Sequence, residues 1–176
     1  MFLGSSKGNN PMYETAAQEL GAWIGDHGHT LVYGGASVGL MGTLADAVLS
    51  HHGKVIGVMP RFMIDGHKNH PSLTEFRITE DMAERKKELL AEGDAFIAMP
   101  GGPGTLEEIS DAVSSLRLRL FDKPCLLYNL NHYYDPLKEQ FDRMTEAGFV
   151  QKEEIEKVGF PETLEEIENS LMNLPA

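Results

Sequence analysis

The sequence predicts an α/β fold, with a doubly wound parallel sheet flanked by helices in a single domain that spans residues 1–176. Short apolar runs alternate with longer amphipathic segments, which is typical of repeated strand–helix units. Most apolar runs are continuous rather than alternating, as expected of strands that are covered on both faces. The length of 176 residues is that of one ordinary domain.

The predicted strands are short and lie between helical segments. The main candidates are Leu31–Tyr33, Lys54–Met59, Ala95–Met99 and Cys125–Tyr128, with Phe76–Thr79 as a fifth strand. Phe2-Leu3 is too short for a normal central strand, so we expect either a strand that begins late or one that preceding residues would complete.

Helices are predicted in the intervening segments. The pair Asn10-Pro11 has the N-cap and N1 preferences of a helix, which the apolar stripe of Leu20, Trp23 and Ile24 extends to about His27. The other helices are expected at 38–51, 80–92, 105–120, 136–147 and about 161–173. The spacing of Thr163 and Glu166 is that of a capping box, which would start the last helix two residues later. Residues 61–71 lack periodicity and contain Asp65-Gly66, which predicts a loop.

The composition disfavours several classes of function. Lys and Arg number 15 against 27 Asp and Glu, for a net charge of −12, which repels nucleic acid and anionic lipid at long range. Cys125 is the one cysteine, so neither an intrachain disulfide nor a cysteine-rich metal site is expected. Without an apolar run of membrane-spanning length or a signal-peptide pattern, we expect a cytoplasmic protein.

Two glycine clusters follow predicted strands and open predicted helices. The first runs from Gly34 and Gly35 to Gly42, and the second is Pro100-Gly101-Gly102-Pro103-Gly104-Thr105. Glycines there let the backbone approach a ligand, and the helix N-terminus offers N–H donors to a phosphate. The alternative is that they only form tight turns. Neither cluster has the dinucleotide fingerprint or a Gly-Lys-Ser/Thr ending.

Charged residues near the second cluster have two interpretations each. Glu107 and Glu108 fall in the first turn of the predicted helix, where acids complement the helix dipole; they also lie close enough along the chain to face the sugar of a bound nucleotide. Thr105 could cap that helix, bind a phosphate oxygen, or do both. Arg85 and Lys86 lie among other charged residues, and spacing alone favours a solvated basic face for them.

The sequence resembles the LONELY GUY (LOG) phosphoribohydrolase family. Residues 100–108 match its motif PGGxGTxxE, and Met82-Ala83-Glu84-Arg85-Lys86, Gly4-Ser5-Ser6, Gly34-Gly35 and Tyr133-Tyr134 match further marks. The resemblance extends from about residue 4 to residue 150. It implies a Rossmann-like homodimer that hydrolyses nucleoside 5′-monophosphates, such as AMP or cytokinin riboside monophosphates, to free base and ribose 5-phosphate, with no cofactor or metal.

The resemblance also implies which residues form the site. Arg85 and Glu108 match the catalytic pair of the family. The substrate-binding positions would be Ser5, Gly34, Gly35, Met82, Lys86, Gly101, Gly102, Gly104, Thr105 and Glu107. Physical chemistry supports Glu108, because glycoside cleavage develops positive charge on the sugar that a carboxylate stabilises. Alternatively, Glu108 could hold the ribose hydroxyls and activate water. Arg85 remains protonated at neutral pH and fits an electrostatic clamp better than a titrating acid.

Several positions depart from the family pattern and leave the preferred base open. Ala36 replaces a third glycine, Ala83 replaces a histidine, and His67 stands where a glutamate is usual. The segment 115–121 also differs, and its Arg117 and Arg119 either border the pocket or lie on solvated surface.

Two other functions compete with hydrolysis. The glycine loops would also suit a non-catalytic nucleotide or molybdenum-cofactor carrier, although a carrier needs no Arg85 and Glu108 pair. Lysine decarboxylation, an older label of the motif, normally requires pyridoxal phosphate on a lysine with an acidic partner, and the sequence identifies no such set. We therefore expect an enzyme that binds a small nucleotide.

Overall fold

The computed structural model describes residues 1–64 and 69–172 of the chain. These residues fall into two compact units, Met1–Gly93 and Asp94–Ala176. The predicted turn at Asp65-Gly66, His67 and the last residue of the predicted C-terminal helix lie outside the described residues.

The first unit contains a parallel sheet with the strand order β1-β2-β3, against which helices pack. Its elements are α1 (Pro11–Asp26), β1 (Thr30–Tyr33), α2 (Gly39–Ser50), β2 (Lys54–Pro60), α3 (Arg61–Ile64), β3 (Glu75–Thr79) and α4 (Met82–Glu92). Tyr33 pairs with Gly57, and Val58 pairs with Arg77. This register brings the carboxyl ends of the three strands to one edge of the sheet.

Helices α1 and α2 approach closely because glycines remove side chains from their contact. A Cβ atom at Gly21 would lie 2.6 Å from the Ala47 Cβ, and one at Gly25 would lie 2.7 Å from the His51 Cβ. The predicted stripe of Leu20, Trp23 and Ile24 is buried. The predicted cap of α1 is confirmed, since the Met12 N–H donates to Asn10 Oδ1 at 3.0 Å.

The second unit contains another parallel sheet, in the strand order β4-β5-β6. Its elements are β4 (Phe96–Ala98), α5 (Pro103–Arg117), β5 (Cys125–Leu127), α6 (Asp135–Glu146), β6 (Val158–Gly159) and α7 (Leu164–Met172), with 3₁₀ turns at Leu130–His132 and Lys152–Ile155. Strands β4 and β5 are entirely buried, which explains why their sequences are continuous apolar runs. Cys125 is a buried strand residue, as predicted.

The predicted fold class is confirmed: parallel sheets alternate with helices, and all five principal strands form. The boundary of a single domain over 1–176 stays a prediction. Phe2 forms an isolated bridge rather than a strand, and the Met1 ammonium donates to the Val32 carbonyl at 2.8 Å.

Several local predictions were wrong. Residues 61–64 form a helical turn instead of a loop, because a single turn is too short to show periodicity. The two-residue strand β6 was missed for a similar reason. The later start predicted for the last helix is confirmed: α7 begins at Leu164, and Thr163 Oγ1 accepts from the Glu166 N–H at 3.2 Å. Only this half of the predicted capping box forms, since Glu166 Oε2 accepts from the Glu162 N–H instead.

Candidate functional site

Arg85 is a buried cation at the carboxyl edge of the first sheet. Helix α4 begins after Asp81, whose carboxylate accepts from the Glu84 N–H at 2.8 Å, and this start places Arg85 one turn into the helix. Arg85 is 8% exposed, and its Nε donates to the Val58 carbonyl of β2 at 3.1 Å. A solvated basic face, the interpretation that spacing alone favoured, is therefore wrong for Arg85.

Gly34 makes room for the Arg85 guanidinium. A Cβ atom on Gly34 would lie 2.7 Å from Arg85 Nη2 and 2.7 Å from Met41 Cε. Burial of a charged group is costly unless hydrogen bonds hold it, so the glycine and the Val58 carbonyl together fix where this cation sits. The other predicted residues of α4 differ in exposure, since Met82 and Lys86 are half-buried.

The rest of the first glycine cluster packs against its own unit. Gly35 has φ +80°, and a Cβ there would lie 3.2 Å from the Phe76 ring and 3.3 Å from Gly57 Cα. Its carbonyl accepts from the His70 N–H at 2.9 Å. The Tyr33 hydroxyl donates to the Ala36 carbonyl at 3.0 Å. Gly34 and Gly35 therefore have structural reasons to be glycine, and their predicted contact with substrate stays a prediction.

The segment Ser5-Ser6 lies on the N-terminus of α2. Gly39 has φ +59°, and a Cβ on it would lie 2.3 Å from the Ser5 carbonyl carbon. The Leu40 N–H is 3.4 Å from the Ser6 carbonyl oxygen, to which it donates. Backbone from the start of the chain thus occupies one of the first-turn donors of α2, while the Ser5 side chain is exposed.

The second glycine cluster has open space around it. Gly102 precedes Pro103, the first residue of α5, and no side chain caps this helix end in the described part of the chain. A Cβ atom at Gly102 or at Gly104 would meet no heavy atom within 4 Å, and neither residue has a positive φ. Within residues 1–64 and 69–172, neither packing nor backbone conformation explains why these two positions are glycine.

The residues after this loop differ in their surroundings. Thr105 is buried, and its hydroxyl makes no hydrogen bond to any other described residue. Glu107 is exposed and Glu108 is half-buried. First-turn N–H groups have no acceptor inside their own helix. The N-terminus of α5 therefore combines free backbone donors, a hydroxyl and a nearby carboxylate.

Two tyrosines hold this loop, and no role was predicted for them from the sequence. The Tyr133 hydroxyl donates to the Gly101 carbonyl at 2.6 Å, and the Tyr134 hydroxyl donates to the Met99 carbonyl at 2.8 Å. Burial raises the pKa of Tyr134 well above its usual value, with a smaller contribution from Tyr133, so this hydroxyl remains a donor. The paired tyrosines that follow a strand were the available signal.

His70 is a second residue that sequence reasoning missed. It is buried; its Nδ1 accepts from the Ser72 N–H at 3.2 Å, and its Nε2 lies 3.0 Å from Asp46 Oδ1. Because its backbone N–H also binds the Gly35 carbonyl, His70 ties the first glycine cluster to α2. A single histidine beside a proline does not indicate, from sequence alone, that it will link the first glycine cluster to α2.

The described positions that depart from the family pattern differ in burial: Ala36 is buried, whereas most of the segment 115–121 is exposed. Arg117 Nε lies 3.4 Å from Glu154 Oε2, and Arg117 Nη2 donates to the Phe149 carbonyl at 3.2 Å. Arg119 is exposed, with φ +57°. Ala83 is exposed at the start of α4. Arg117 and Arg119 are thus exposed, and their place at the edge of the substrate pocket stays a prediction.

Comparison with known proteins identifies the family. Residues 41–171 match the family model described as "Possible lysine decarboxylase". A protein named cytokinin riboside 5′-monophosphate phosphoribohydrolase from Rhodococcoides fascians is 42% identical over 85% of this chain and 76% of its own length. LOG1 of Arabidopsis thaliana, which has the same name, is 41% identical over 85% of this chain and 70% of its own length. The chain belongs to the LOG family.

Longer relatives extend beyond the matched segment. LOGL1 of Oryza sativa is 43% identical over 150 residues, which are 85% of this chain and 67% of that protein. The match spans 62% of LOGL2 and 61% of LOGL5 from the same plant. The chain therefore corresponds to about two thirds of the length of these LOG proteins.

Solved structures share the fold of this LOG-family chain. A molybdenum cofactor binding protein from Rippkaea orientalis superposes with a TM-score of 0.71 at 24% identity, over 97% of this chain and 94% of its own. A molybdenum cofactor carrier protein from Chlamydomonas reinhardtii gives 0.69 at 23% identity, over 98% and 95%. At this level of identity the likeness concerns the fold alone.

None of the helices within 1–64 and 69–172 is long and apolar enough to cross a membrane. In the same part of the chain, no group of three or more His, Cys, Asp or Glu side chains is arranged to hold a metal ion.

Proposed function

We propose that this LOG-family protein hydrolyses the N-glycosidic bond of nucleoside 5′-monophosphates, cytokinin riboside 5′-monophosphates or AMP, to the free base and ribose 5-phosphate. The names of its relatives state a phosphoribohydrolase activity on cytokinin riboside 5′-monophosphate. The observation that carries the proposal is the unfilled space around Gly102 and Gly104 at the start of α5. A phosphate there would explain two glycines that the described fold does not require.

The phosphate would be bound mainly by backbone. The N–H groups of Gly102, Gly104 and Thr105 are available at the helix start, whereas Pro103 has no N–H to offer. The partial positive charge at the N-terminus of a helix of 15 residues favours a dianionic ligand. The Thr105 hydroxyl adds a further donor, so that this loop can bind a phosphate despite the net charge of −12.

Glu108 would act on the sugar. In the reaction, a water oxygen bonds to the anomeric carbon, the bond to the base nitrogen breaks, and the base leaves with a proton. The ribose develops positive charge as this bond breaks, and a nearby carboxylate stabilises that charge. We assign this role to Glu108 and the binding of the ribose hydroxyls to the exposed Glu107.

Arg85 would act as a fixed cation on the substrate. A guanidinium is a permanent cation with directional N–H donors, and hydrogen bonding to Val58 orients this one. We propose that Arg85 stabilises negative charge on the departing base or on the nucleotide. Lys86, Met82, Ser5 and the glycines at 34, 35 and 101 would complete substrate binding.

The decisive experiment is a turnover assay with matched acid variants. Purified protein is incubated with AMP and with isopentenyladenosine monophosphate, and free base and ribose 5-phosphate are quantified. We expect Glu108→Gln to lower kcat by about 10²- to 10³-fold, the size of effect seen when a charge-stabilising group is removed, while nucleotide binding persists. Glu107→Gln, one residue away, serves as the control and should mainly raise KM.

The outcomes separate the two functions. Release of base by the wild-type protein and its loss in Glu108→Gln supports hydrolysis. Tight nucleotide binding without release of base from either substrate would favour the carrier. Full activity in Glu108→Gln would remove this residue from the mechanism.

We also propose a homodimer that works in the cytoplasm and binds neither nucleic acid nor membrane. Leu118, Leu120 and Phe149 are 65%, 72% and 76% exposed in the second unit, and apolar side chains of this kind favour burial against a second copy. The net charge of −12 opposes binding to polyanions. Light scattering after size-exclusion chromatography tests the dimer, with Leu120→Glu as the disrupting variant.

A further inference from the structure

The turn that follows β5 delivers two tyrosine hydroxyls to the loop between β4 and α5. Tyr133 binds the Gly101 carbonyl at 2.6 Å, and Tyr134 binds the Met99 carbonyl at 2.8 Å. Their rings meet edge to face, with centroids 5.0 Å apart. Two carbonyls, two residues apart in the glycine loop, are therefore held by adjacent side chains of one other segment.

This turn is itself held in an unusual conformation. Asn131 and His132 have φ values of +51° and +59°. These values lie in the left-handed region, which residues other than glycine adopt much less often. The buried Asn129 supports the turn: its Oδ1 accepts from the Tyr134 N–H at 2.7 Å, and its Nδ2 donates to Asp135 Oδ1 at 2.7 Å. A conformation that is locally unfavourable and held by a buried amide is fixed by the fold, so the positions of both tyrosines are fixed as well.

The two tyrosines differ in exposure and therefore in what they can do. Tyr134 is buried, and its bond to Met99 completes the hydrogen bonding of the strand end. Tyr133 is 42% exposed and binds a carbonyl next to the open space around Gly102. The first hydroxyl stabilises the interior, whereas the second acts on the surface that would receive a ligand.

The bond from Tyr133 determines the direction of a backbone donor. The peptide between Gly101 and Gly102 is trans, so its C=O and N–H point in opposite directions. With the Gly101 oxygen held by Tyr133, the Gly102 N–H points away from the tyrosine. Without the hydrogen bond from Tyr133 this peptide could rotate, because it has glycine on both sides. Among the described residues, no side chain caps the start of α5.

We infer that Tyr133 is a positioning residue for the phosphate: it orients the Gly101–Gly102 peptide so that the Gly102 N–H binds a phosphate oxygen of the nucleotide. This inference rests on the proposed function, since it gives that loop its ligand. It assigns Tyr133 no contact with the reacting atoms. Removal of the hydroxyl therefore weakens the binding of phosphorylated ligands and leaves the chemical step intact.

The test compares Tyr133→Phe with the wild-type protein in four measured quantities. We expect KM for the nucleoside 5′-monophosphate and the inhibition constant of ribose 5-phosphate to rise by the same factor, about tenfold for one hydrogen bond to a charged group. We expect kcat to stay within about twofold, and the thermal midpoint to stay unchanged because the Tyr133 ring is partly exposed. A general structural defect would lower the midpoint and would not link KM to ribose 5-phosphate binding.

Tyr134→Phe is the matched control, because it removes the same hydroxyl from a carbonyl two residues earlier. We expect it to lower the thermal midpoint, since a buried carbonyl loses its donor, and to change the inhibition constant less than Tyr133→Phe does. If Tyr134→Phe weakens ribose 5-phosphate binding as much as Tyr133→Phe, the special role of Tyr133 is overturned.

Direct titration with ribose 5-phosphate separates this inference from the proposed function. If the wild-type protein releases no base but binds ribose 5-phosphate more tightly than Tyr133→Phe does, the hydrolase proposal fails and the role of Tyr133 stands. If base is released while KM and ribose 5-phosphate binding are equal in the two proteins, the role of Tyr133 is overturned and the hydrolase stands. A fall in kcat at constant KM in Tyr133→Phe would also overturn the proposed role of Tyr133.

Discussion

Both glycine clusters follow a strand and precede a helix, yet the physical reasons for glycine at their positions differ. In the first cluster, a Cβ at Gly34, Gly35 or Gly39 would collide with or press on neighbouring atoms of the same unit, and Gly35 and Gly39 also have positive φ. In the second cluster, Gly102 and Gly104 have neither constraint. Only the second cluster leaves its glycines to be explained by something outside the described fold.

This difference separates glycines that the fold needs from glycines that a ligand would need. The first cluster creates the space that Arg85 and the Ser5-Ser6 backbone occupy, so its contribution to activity would be indirect. The second cluster presents open backbone at a helix start, where an anion would bind directly. Gly39→Ala in the first cluster and Gly104→Ala in the second should therefore have opposite effects on stability and on binding.

The largest effect is expected at Gly39, in the first cluster. Gly39→Ala would place a Cβ 2.3 Å from the Ser5 carbonyl carbon, against backbone that cannot move aside easily, at a residue with φ +59°. Overpacking and left-handed strain together predict a loss of about 3 kcal/mol or more in the free energy of unfolding. Urea denaturation followed by circular dichroism measures it, and a stability equal to the wild type would refute the packing explanation.

Gly34→Ala should affect catalysis more than folding. The added Cβ would press on the ends of two side chains, Arg85 Nη2 and Met41 Cε, each at 2.7 Å, and such ends can shift at modest cost. A displacement of the guanidinium by about 1 Å can cost about 10²-fold in rate, so we expect that loss in kcat/KM.

Arg85→Lys provides the comparison for this prediction, because it keeps the charge and removes the Nε donor to Val58. Similar kinetic losses in Gly34→Ala and Arg85→Lys would support a shared cause in the position of the cation. Wild-type kinetics in Gly34→Ala would contradict the assignment of Arg85 to the reaction.

Gly104→Ala should weaken substrate binding without lowering stability, whereas Gly39→Ala lowers stability. Because Gly104 lies in the first turn of α5 with open space around it, alanine should leave the free energy of unfolding unchanged or raise it by about 0.5 kcal/mol. The methyl group would enter the space that we assign to the phosphate, and KM should rise by about tenfold, a cost of one binding contact. Denaturation and steady-state kinetics on one preparation test both, and loss of stability would show a packing role instead.

The smallest effect at neutral pH is expected from three buried groups, Cys125, Tyr33 and Tyr134, whose pKa values burial raises. Burial raises the pKa of Cys125 to about 12 from a usual value of 9.0, and it raises the pKa of Tyr33 and Tyr134 above the usual 10.0. The folded state thus keeps protons that the unfolded state releases, so stability is full below pH 9 and falls as the pH rises above it. Denaturation midpoints at pH 7, 9, 10 and 11 measure the decline.

Cys125→Ala is the control for this decline, since it removes the group that would titrate first. Its stability should fall less steeply between pH 9 and 10 than that of the wild type. Because Tyr33 donates to Ala36 and Tyr134 to Met99, the loss above pH 10 should accompany loosening of both glycine loops. A midpoint that stays constant to pH 11 would contradict the shifted pKa values.

Much of the fold could be predicted from local pattern, because strands and helices reveal themselves in the spacing of apolar residues. Asn10-Pro11 started α1 as expected, and the buried strands β4 and β5 were evident from their continuous apolar runs. Elements of two to four residues, such as α3 and β6, were missed because they are too short to show a repeating pattern of apolar residues.

The candidate site was only partly predictable. The glycines at 102 and 104 and the acids that follow them were identified by spacing, since a loop and a helix start are local features. The burial of Arg85 was not, because its neighbours along the chain are charged and its partner Val58 lies 27 residues away. The role of Tyr133 depends on a turn with positive φ at Asn131 and His132, which these residue types do not require.

The order of strands, helices and glycine loops was determined by the local sequence, because periodicity, capping and turn preferences act over a few residues. Which glycines face protein atoms and which face open space, which arginine is buried, and which hydroxyl orients which peptide depended on segments that are distant along the chain. Those contacts form only when the strands pair, and each pairing brings together residues that no local preference connects.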